Sequence, residues 1–194
     1  MLINGSKLDG FPILSIHMGM PIARVRKIIV NPHNLKILAF ELSGPEVGGE
    51  NGTILKVDDV REFSGIGMII DSSDEFVNPG DVVKLDEVLK LNFELYGLKV
   101  ETKKGSKLGK VLDFVVDTES FKILQIVVQR PPLKAFMDPE LLISTKEIVE
   151  VNDYKIIIKD EEQTLKKRAV KEDFVPNFVN PFREPEFLKN EKEN

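Results

Sequence analysis

The chain has 194 residues and a formal net charge of −5, and 42% of its residues are hydrophobic and 30% charged. This composition is typical of a folded protein and argues against wholesale disorder. There is no cysteine and no tryptophan, and there are two histidines, so disulfide frameworks, thiolate chemistry, iron–sulfur clusters and cysteine-based zinc sites are excluded. The acidic balance argues against a nucleic-acid binder that works by bulk charge alone.

The beginning of the chain carries no targeting signal that we recognise. Residues 1–9 lack a charged segment followed by an apolar run, so we expect no signal peptide. Uninterrupted apolar stretches are short, as in residues 28–30 and 156–158, whereas a membrane helix needs about 20 apolar residues. We therefore expect no membrane insertion and a soluble, cytoplasmic protein.

Two stretches of the chain predict the same β-hairpin. Residues 23–42 and 109–128 both follow the order strand, four-residue polar turn and strand, at an offset of 86 residues (109 − 23). Their strands are rich in β-branched residues, which suit a pleated and half-buried surface. Their turns, residues 31–34 and 117–120, consist mainly of residues that favour turns.

The similarity continues on both sides of the hairpins. Upstream, residues 10–15 match residues 97–102, and downstream, residues 60–65 match residues 148–153. Each copy then follows the order strand, hairpin, irregular loop, short strand, turn and final strand, which is the order of a small barrel of about five or six strands. We therefore predict an all-β fold with two tandem small β-barrels.

The residues between the two copies predict a short helix. Asn78-Pro79-Gly80 favours a turn, Asp81 follows in a position to cap a helix, and Leu85, Val88 and Leu89 form an apolar stripe. The predicted organisation is a first barrel at residues 1–78, a linker with a short helix at 79–96, a second barrel at 97–160 and a charged, irregular tail with phenylalanine and proline at 161–194.

The second copy carries the pattern of a known family. Gly97-Leu98-Lys99-Val100 opens one strand, Leu108-Gly109-Lys110-Val111 opens the next, and Asp113 and Asp117 follow. This pattern resembles the PRC-barrel family, which is named for the H subunit of the photosynthetic reaction centre. A similar barrel forms the C-terminal half of a ribosome maturation factor.

The first copy is similar to this family but diverged. Ala23 stands in the place of Gly109, Lys27 in the place of Asp113, and Asn31 in the place of Asp117. The resemblance implies PRC-type barrels without common catalytic residues. It also implies a binding or adaptor module, of the kind found in RNA metabolism, ribosome assembly or electron-transfer complexes.

The residues that most often carry chemistry form no recognisable constellation. His17 and His33 lack neighbouring ligands at metal-site spacing, and the acidic clusters at residues 58–59 and 71–75 do not follow the pattern of a calcium loop. No nucleophile or phosphate-loop motif is present. We therefore expect no metal, no cofactor, no catalytic residue and no enzymatic activity.

Basic residues cluster in both predicted hairpins. They are Lys103, Lys104, Lys107 and Lys110 in the second copy and Arg24, Arg26 and Lys27 in the first. Such clusters contact RNA phosphates in other proteins, which defines an alternative function as a ribosome- or RNA-associated assembly factor with ribosomal RNA or a ribosomal protein as partner. The other interpretation is a solvated turn, which the lack of interleaved aromatic residues favours.

The tail carries 4 of the 12 phenylalanines of the chain. Its candidate partner-binding residues are Phe174, Phe178, Pro181, Phe182 and Phe187. Because prolines interrupt the helical spacing, we expect an extended segment whose aromatic anchors dock into a groove, either of its own barrels or of another chain. The primary prediction is a non-enzymatic adaptor or scaffold that binds another protein through the inter-barrel surface and this tail.

Overall fold

The computed structural model describes residues 1–45, 47–48, 53–131 and 139–160. Residues Met1–Asp160 belong to one compact unit. About half of the described residues lie in β-strands, and one short α-helix separates two groups of strands.

The strands are numbered here in chain order. Before the helix lie β1 (Leu2–Asn4), β2 (Pro12–Ser15), β3 (Met20–Asn31), β4 (Lys36–Ser43), β5 (Thr53–Lys56), β6 (Glu62–Phe63), β7 (Met68–Ile70) and β8 (Phe76–Val77). The helix α1 is Val83–Lys90. After it lie β9 (Lys99–Thr102), β10 (Lys107–Asp117), β11 (Lys122–Gln129), β12 (Glu140–Ser144), β13 (Ile148–Val151) and β14 (Lys155–Ile158). We call β2 to β8 the first half and β9 to β14 the second half.

All the described strands belong to one curled sheet. Its central path runs β13-β14-β9-β10-β11-β4-β3-β2-β7-β6. β1 pairs with β10, β12 with β11, and β5 with both β4 and β8. The predicted mainly-β fold with one short helix is confirmed, whereas the division into two tandem barrels stays a prediction.

Strand pairing follows the same register in both halves. Val25 of β3 lies opposite Leu42 of β4, and Val111 of β10 lies opposite Val128 of β11. Both ladders are interrupted by register shifts at the same two places. Each half also contains one parallel pair at the corresponding place, because β7 pairs with β2 and β14 pairs with β9. The repeat in the sequence is therefore also a repeat of strand pairing.

The two halves place a glycine differently at the same close strand contact. Gly109 in β10 has a φ of +149°, and a Cβ there would overlap the backbone carbonyl of Gln129 in β11. In the first half Ala23 occupies this position, and the glycine lies after the facing strand: Gly44 has a φ of +148°, and a Cβ there would lie 3.0 Å from the Cα of Ala23. Each contact thus needs one residue without a side chain.

The turns of the two hairpins meet at the seam between the halves. The Ile37 N–H donates to the Phe121 carbonyl (2.8 Å), and the Ile123 N–H donates to the Leu35 carbonyl (3.0 Å). Leu35 and Phe121 also share a φ of 52°. Because each half gives the other the same contact that it receives, an approximate two-fold axis relates the halves, as in the interface of a symmetric dimer.

The main buried cluster draws its side chains from both halves. The ring of Phe121, from the second half, makes edge contacts with the rings of Phe40 and Phe63 from the first, at centroid distances of 6.0 and 6.5 Å. Phe63 in turn stacks on Phe11 at 4.9 Å. The hydrophobic core therefore crosses the seam, and burying it stabilises the halves against each other.

The helix α1 covers a second, smaller cluster. Its Leu85 packs with three buried residues of the first half, Ile29, Ala39 and Ile54, and Val88 and Leu89 lie beside them. The predicted apolar stripe is confirmed. The prediction that Asp81 caps the helix is wrong, because Val82 is the N-cap residue and makes no side-chain cap. The Asp81 carboxylate instead accepts a hydrogen bond from the Asn78 N–H (2.8 Å) within the preceding turn.

The segments that precede the two halves are exchanged between them. We call residues 1–9 and 78–96 the leading segments. β1 precedes the first half, yet it pairs with β10 of the second half, with Ile3 opposite Val116. α1 precedes the second half, yet it packs on the first. Each half is therefore completed by the segment that leads into the other.

Candidate functional site

A cleft of about 580 Å³ lies between the two leading segments, β3 and β10. Its apolar and aromatic lining consists of Val25, Ile28, Val30, Phe93, Leu95, Tyr96 and Phe114. Its polar lining consists of Ser6, Asp9, Arg26, Lys27, Glu41 and Glu94. The cleft is built from residues far apart in the chain, so its shape depends on the packing of the halves.

The cleft contains corresponding positions of the two halves. Asp9 and Tyr96 each precede the glycine that opens the repeat, and Ile28 and Phe114 occupy the same position in β3 and β10. The approximate two-fold axis therefore passes close to the cleft. The backbone of the cleft is therefore approximately symmetric, whereas the side chains at each pair of corresponding positions differ.

The first leading segment is tied to β10 by a buried carboxylate. Asp113 is 9% exposed, and its two oxygens accept hydrogen bonds from the Ser6 N–H (2.9 Å) and the Ser6 hydroxyl (2.7 Å). The neighbouring Gly5 lies so close to the Phe114 ring that a Cβ would be 2.5 Å from it. These contacts fix one wall of the cleft.

The second leading segment is tied to β3 by an ion pair at the corresponding position. Lys27, which stands in the place of Asp113, approaches the Glu94 carboxylate with its Nζ at 2.8 Å. The carboxylate of one half is thus replaced by an ammonium group in the other, and the partner changes from a serine to a glutamate. The diverged residue keeps the same mechanical role with different chemistry.

Two further interactions set the electrostatics of the cleft. Arg26 of β3 forms an ion pair with Glu41 of β4. Burial raises the pKa of the Tyr96 phenol, and the nearby carboxylates of Asp113 and Asp9 raise it further. The Tyr96 phenol therefore remains a neutral hydrogen-bond donor at neutral pH.

A smaller pocket of about 200 Å³ continues the cleft along β3. It lies between residues 27–30 of β3 and the residues of the second leading segment Pro79, Val88, Leu89, Asn92 and Phe93. Lys27, Ile28, Val30 and Phe93 line both spaces. Together the cleft and the pocket form a groove beside β3 that is mainly apolar and carries a few oriented polar groups, a lining typical of binding sites.

Two of the basic residues predicted as anion contacts lie in this cleft. Arg26 and Lys27 line it, and each is held by the acidic partner described above. Arg24 lies outside it and donates a hydrogen bond to the Gly10 carbonyl (2.9 Å). The basic group of the first half thus has local partners for its charges or donors.

The basic residues of the second half lie away from the cleft. Lys103 and Lys104 are exposed in the turn between β9 and β10, and Lys104 lies 3.9 Å from the Asp160 carboxylate. Lys107 and Lys110 follow on β10 and are also exposed. Whether these lysines contact RNA stays a prediction.

The corresponding turn of the first half is apolar. Ile16 (54%) and Met18 (51%) in this turn and Met20 (52%) at the start of β3 are about half exposed. The two turns occupy the same place in the pairing scheme, between β2 and β3 and between β9 and β10. The side chains at these corresponding turns therefore differ between the halves, as they do in the cleft.

The predicted partner-binding residues Phe174, Phe178, Pro181, Phe182 and Phe187 lie outside the described residues. In the described ranges, no group of three histidine, aspartate or glutamate side chains is arranged to hold a metal ion. Over the same part of the chain, no helix is long and apolar enough to cross a membrane.

Several cleft residues were not predicted from the sequence. Phe93, Glu94 and Tyr96 lie in the second leading segment and Ser6 in the first, where no periodic pattern marks them. A signal was present nonetheless, because aligning Gly10 with Gly97 also aligns Asp9 with Tyr96. Extending the repeat upstream of these glycines therefore pairs residues of the two leading segments with each other.

Comparison with known proteins gives one result for the second half. Residues 90–165 match the family model of the PRC-barrel domain, a range that includes every strand from β9 to β14. No curated protein sequence matches the chain. The chain therefore contains a PRC-barrel domain at residues 90–165.

Proposed function

We propose that this protein is a non-enzymatic scaffold that binds another protein through the cleft between its leading segments, helped by the phenylalanine-rich tail. In this proposal the chain consists of two PRC-type barrels, of which the first is diverged. A scaffold role fits the PRC-barrel domain at residues 90–165 in general.

The shared register supports a second, diverged barrel in the first half. β2 to β7 repeat the antiparallel and parallel pairings of β9 to β14, with the same register shifts in the central hairpin. The side chains that differ keep their local role: Asn31 accepts a hydrogen bond from the His33 N–H (2.9 Å) within its turn, as Asp117 accepts one from the Ser120 hydroxyl (2.6 Å).

The cleft itself is the observation that carries the proposed function. The aromatic side chains Phe93, Tyr96 and Phe114 line it, and Tyr96 is 44% exposed. Aromatic residues that become buried on binding are the usual anchors of protein interfaces. Arg26 with Glu41 and Lys27 with Glu94 form ion pairs that orient these side chains and balance their charges, and Asp9 adds one carboxylate. Such a site favours a partner that brings apolar surface and a few hydrogen bonds.

The tail supplies a second contact in this proposal. Phe174, Phe178, Phe182 and Phe187 are separated by prolines, which suits an extended segment with aromatic anchors. Two weak contacts on one chain raise the overall affinity for a partner that engages both, because the second contact forms at a high effective concentration.

Affinity purification of the full chain from its native cells, with RNase treatment, tests the proposal. We expect protein partners that survive RNase and that are lost from a Phe93→Ala/Tyr96→Ala variant. Deleting residues 172–194 should weaken the same capture without unfolding the described part, which circular dichroism checks.

A matched control separates the cleft from general effects of losing an aromatic ring. Tyr154 is 80% exposed in the turn between β13 and β14, so Tyr154→Ala should leave the capture unchanged. If the cleft variant folds and retains every partner, the cleft is not the binding site. If all partners disappear on RNase treatment, the scaffold proposal fails in favour of the RNA-associated alternative.

A further inference from the structure

One edge of β3 has no strand beside it within the described residues. On the side opposite β4, β2 pairs with β3 only from Met20 to Arg24. Beyond that point, residues 27–31 pair with β4 alone. The other side of these residues faces the groove formed by the cleft and the pocket.

The corresponding edge of β10 shows what such an edge accepts. There β1 pairs antiparallel with residues 115–117, with Ile3 opposite Val116. Val116 corresponds to Val30, because each lies opposite the equivalent isoleucine of its hairpin, Ile123 or Ile37. An extended segment of three residues therefore covers in the second half the edge that is open in the first.

The second leading segment does not take this place as a strand. In this segment, the residues that correspond to β1 lie at the end of helix α1. The helix packs on the face of β3 and not on its edge, through the contact of Leu85 with Ile29. The space left between the edge and the segment is the groove, which runs from Val25 to Val30. The Val25 N–H donates to the Phe11 carbonyl and the Val25 carbonyl accepts from the Gly10 N–H (2.9 Å each), so the open edge begins after Val25. At about 3.3 Å per residue, residues 26–30 are long enough to pair with a strand of about four residues.

We propose that an extended, apolar peptide segment of the partner adds to this edge of β3 as a strand, in the way β1 adds to β10. This inference rests on the proposed function and names the form in which the partner enters the cleft. Strand addition supplies affinity through main-chain hydrogen bonds, whereas pockets for alternate side chains supply specificity.

The lining of the groove specifies the chemistry of the segment. Successive side chains of a strand point to opposite faces, so one set of alternate residues would lie over Tyr96 and Ile28, which line the cleft and are partly exposed, and should be apolar. Lys27 and Glu94 neutralise each other at the rim, so the segment needs no net charge. The segment β1, with Leu2 and Ile3, is the example that this chain itself provides.

A proline limits how far the pairing extends. In the second half, the Thr118 N–H donates to the Met1 carbonyl (2.9 Å) just beyond the paired residues. The corresponding residue of the first half is Pro32, which has no N–H to donate. The added strand should therefore end opposite Val30, and the proline also protects the edge against unspecific pairing with other strands.

Linear octapeptides selected by phage display on the full chain provide the probe. We expect the best binders to have alternating apolar residues and to shift the amide signals of residues 27–30 in ¹⁵N-resolved spectra. Methylating single peptide nitrogens should weaken binding at least tenfold at every second position and change it less than threefold at the positions between. This scan leaves the protein unchanged, so a folding defect cannot imitate the result.

The outcomes separate this inference from the proposed function. If peptides bind in the cleft but N-methylation shows no two-residue period, strand addition is wrong and the scaffold proposal stands. The inference also fails if the selected peptides shift residues 115–117 instead, because they then displace β1. If no peptide binds while the Phe93→Ala/Tyr96→Ala variant still loses its cellular partner, the partner enters the cleft as a folded surface and the inference is overturned.

Discussion

The two halves of this protein share a backbone and differ in the side chains that hold it. Each half has a close strand contact, a tie to the other half's leading segment, and a turn between its first two strands. At these places the first half uses Gly44, Lys27 and an apolar turn, and the second uses Gly109, Asp113 and a basic turn. The two halves therefore share their strand register, whereas different residues make the corresponding contacts in each half.

The close strand contact should give the largest difference between the halves. In Gly109→Ala, a Cβ meets the backbone of Gln129 at a φ that alanine disfavours, so we expect a loss of about 2–4 kcal/mol in unfolding free energy. In Gly44→Ala the nearest atom is at 3.0 Å, and about 1–2 kcal/mol is expected. Urea unfolding measures both. As a control, Gly65→Ala should change stability by less than about 1 kcal/mol, because no atom lies within 4 Å of a Cβ at Gly65. Equal losses for Gly44 and Gly109 would contradict this ranking.

The two ties to the leading segments should differ in strength. Asp113→Ala leaves the Ser6 N–H and the Phe114 N–H without their acceptor, which costs about 1–3 kcal/mol. Lys27→Ala breaks an ion pair whose side chains are 39% and 63% exposed, and such pairs contribute about 0.2–1 kcal/mol.

A charge reversal sharpens this second comparison. Lys27→Glu places a second carboxylate beside that of Glu94, so it should lower the unfolding free energy. The double variant Lys27→Glu/Glu94→Lys restores an opposite-charge pair and should recover this loss. Chemical denaturation of the single and double variants measures the coupling. A double variant as unstable as the single one would show that the ion pair does not tie the second leading segment to β3.

The neutral phenol of Tyr96 predicts a pH dependence. Burial raises its pKa above the ordinary value of 10.0, so the folded protein retains a proton that the unfolded chain loses above that pH. Stability from the neutral phenol is present below pH 10 and is lost as the pH rises further. Tyr96→Phe should therefore gain stability relative to the wild type above pH 10. Tyrosinate absorbance near 295 nm gives a second readout, because the wild type should reach its plateau at a higher pH than the variant. Parallel stability curves through this range would contradict the assignment.

The turns should give the smallest effect. If the protein is a scaffold for a protein partner, reversing the charges of Lys103, Lys104, Lys107 and Lys110 leaves its co-sedimentation with ribosomal particles at low salt unchanged. A matched variant, Met18→Glu/Met20→Glu, changes the corresponding turn of the first half. Loss of co-sedimentation with the lysine variant alone would favour the alternative role in ribosome assembly, because phosphate contacts depend on these charges.

Local patterns in the sequence predicted the hairpins and the helix correctly. The β-branched strands and the turn residues around Asn31 and Asp117 specify the two hairpins, since turn chemistry is set by neighbouring residues. The stripe at Leu85, Val88 and Leu89 specifies the buried face of α1. The repeat predicted the same order of strands and turns in both halves, and the structure adds that their registers also match.

Contacts between distant segments could not be predicted in this way. Nothing in the periodicity of residues 1–9 indicates that Ser6 lies beside Asp113. From the sequence, Lys27 is only a departure from the aspartate of the other copy, and its role as the ion-pair partner of Glu94 is visible only in the structure. The helix cap was predicted wrongly for a related reason. The Asp81 carboxylate can accept a hydrogen bond either from the helix or from the preceding turn, and it accepts one from the Asn78 N–H of the turn. The cleft depends on such contacts, so only its basic residues Arg26 and Lys27 were predicted.

The exchange of the leading segments has a consequence for the order in which the protein can fold during synthesis. Ser6 is made 107 residues before Asp113, the residue that holds it. β1 and its neighbours must therefore wait while the whole first half is translated, and they close only when β10 has emerged. Contacts this far apart in sequence form slowly. The apolar residues Leu2 and Ile3 consequently remain open to other strands during that interval, although they precede the whole first half in the chain.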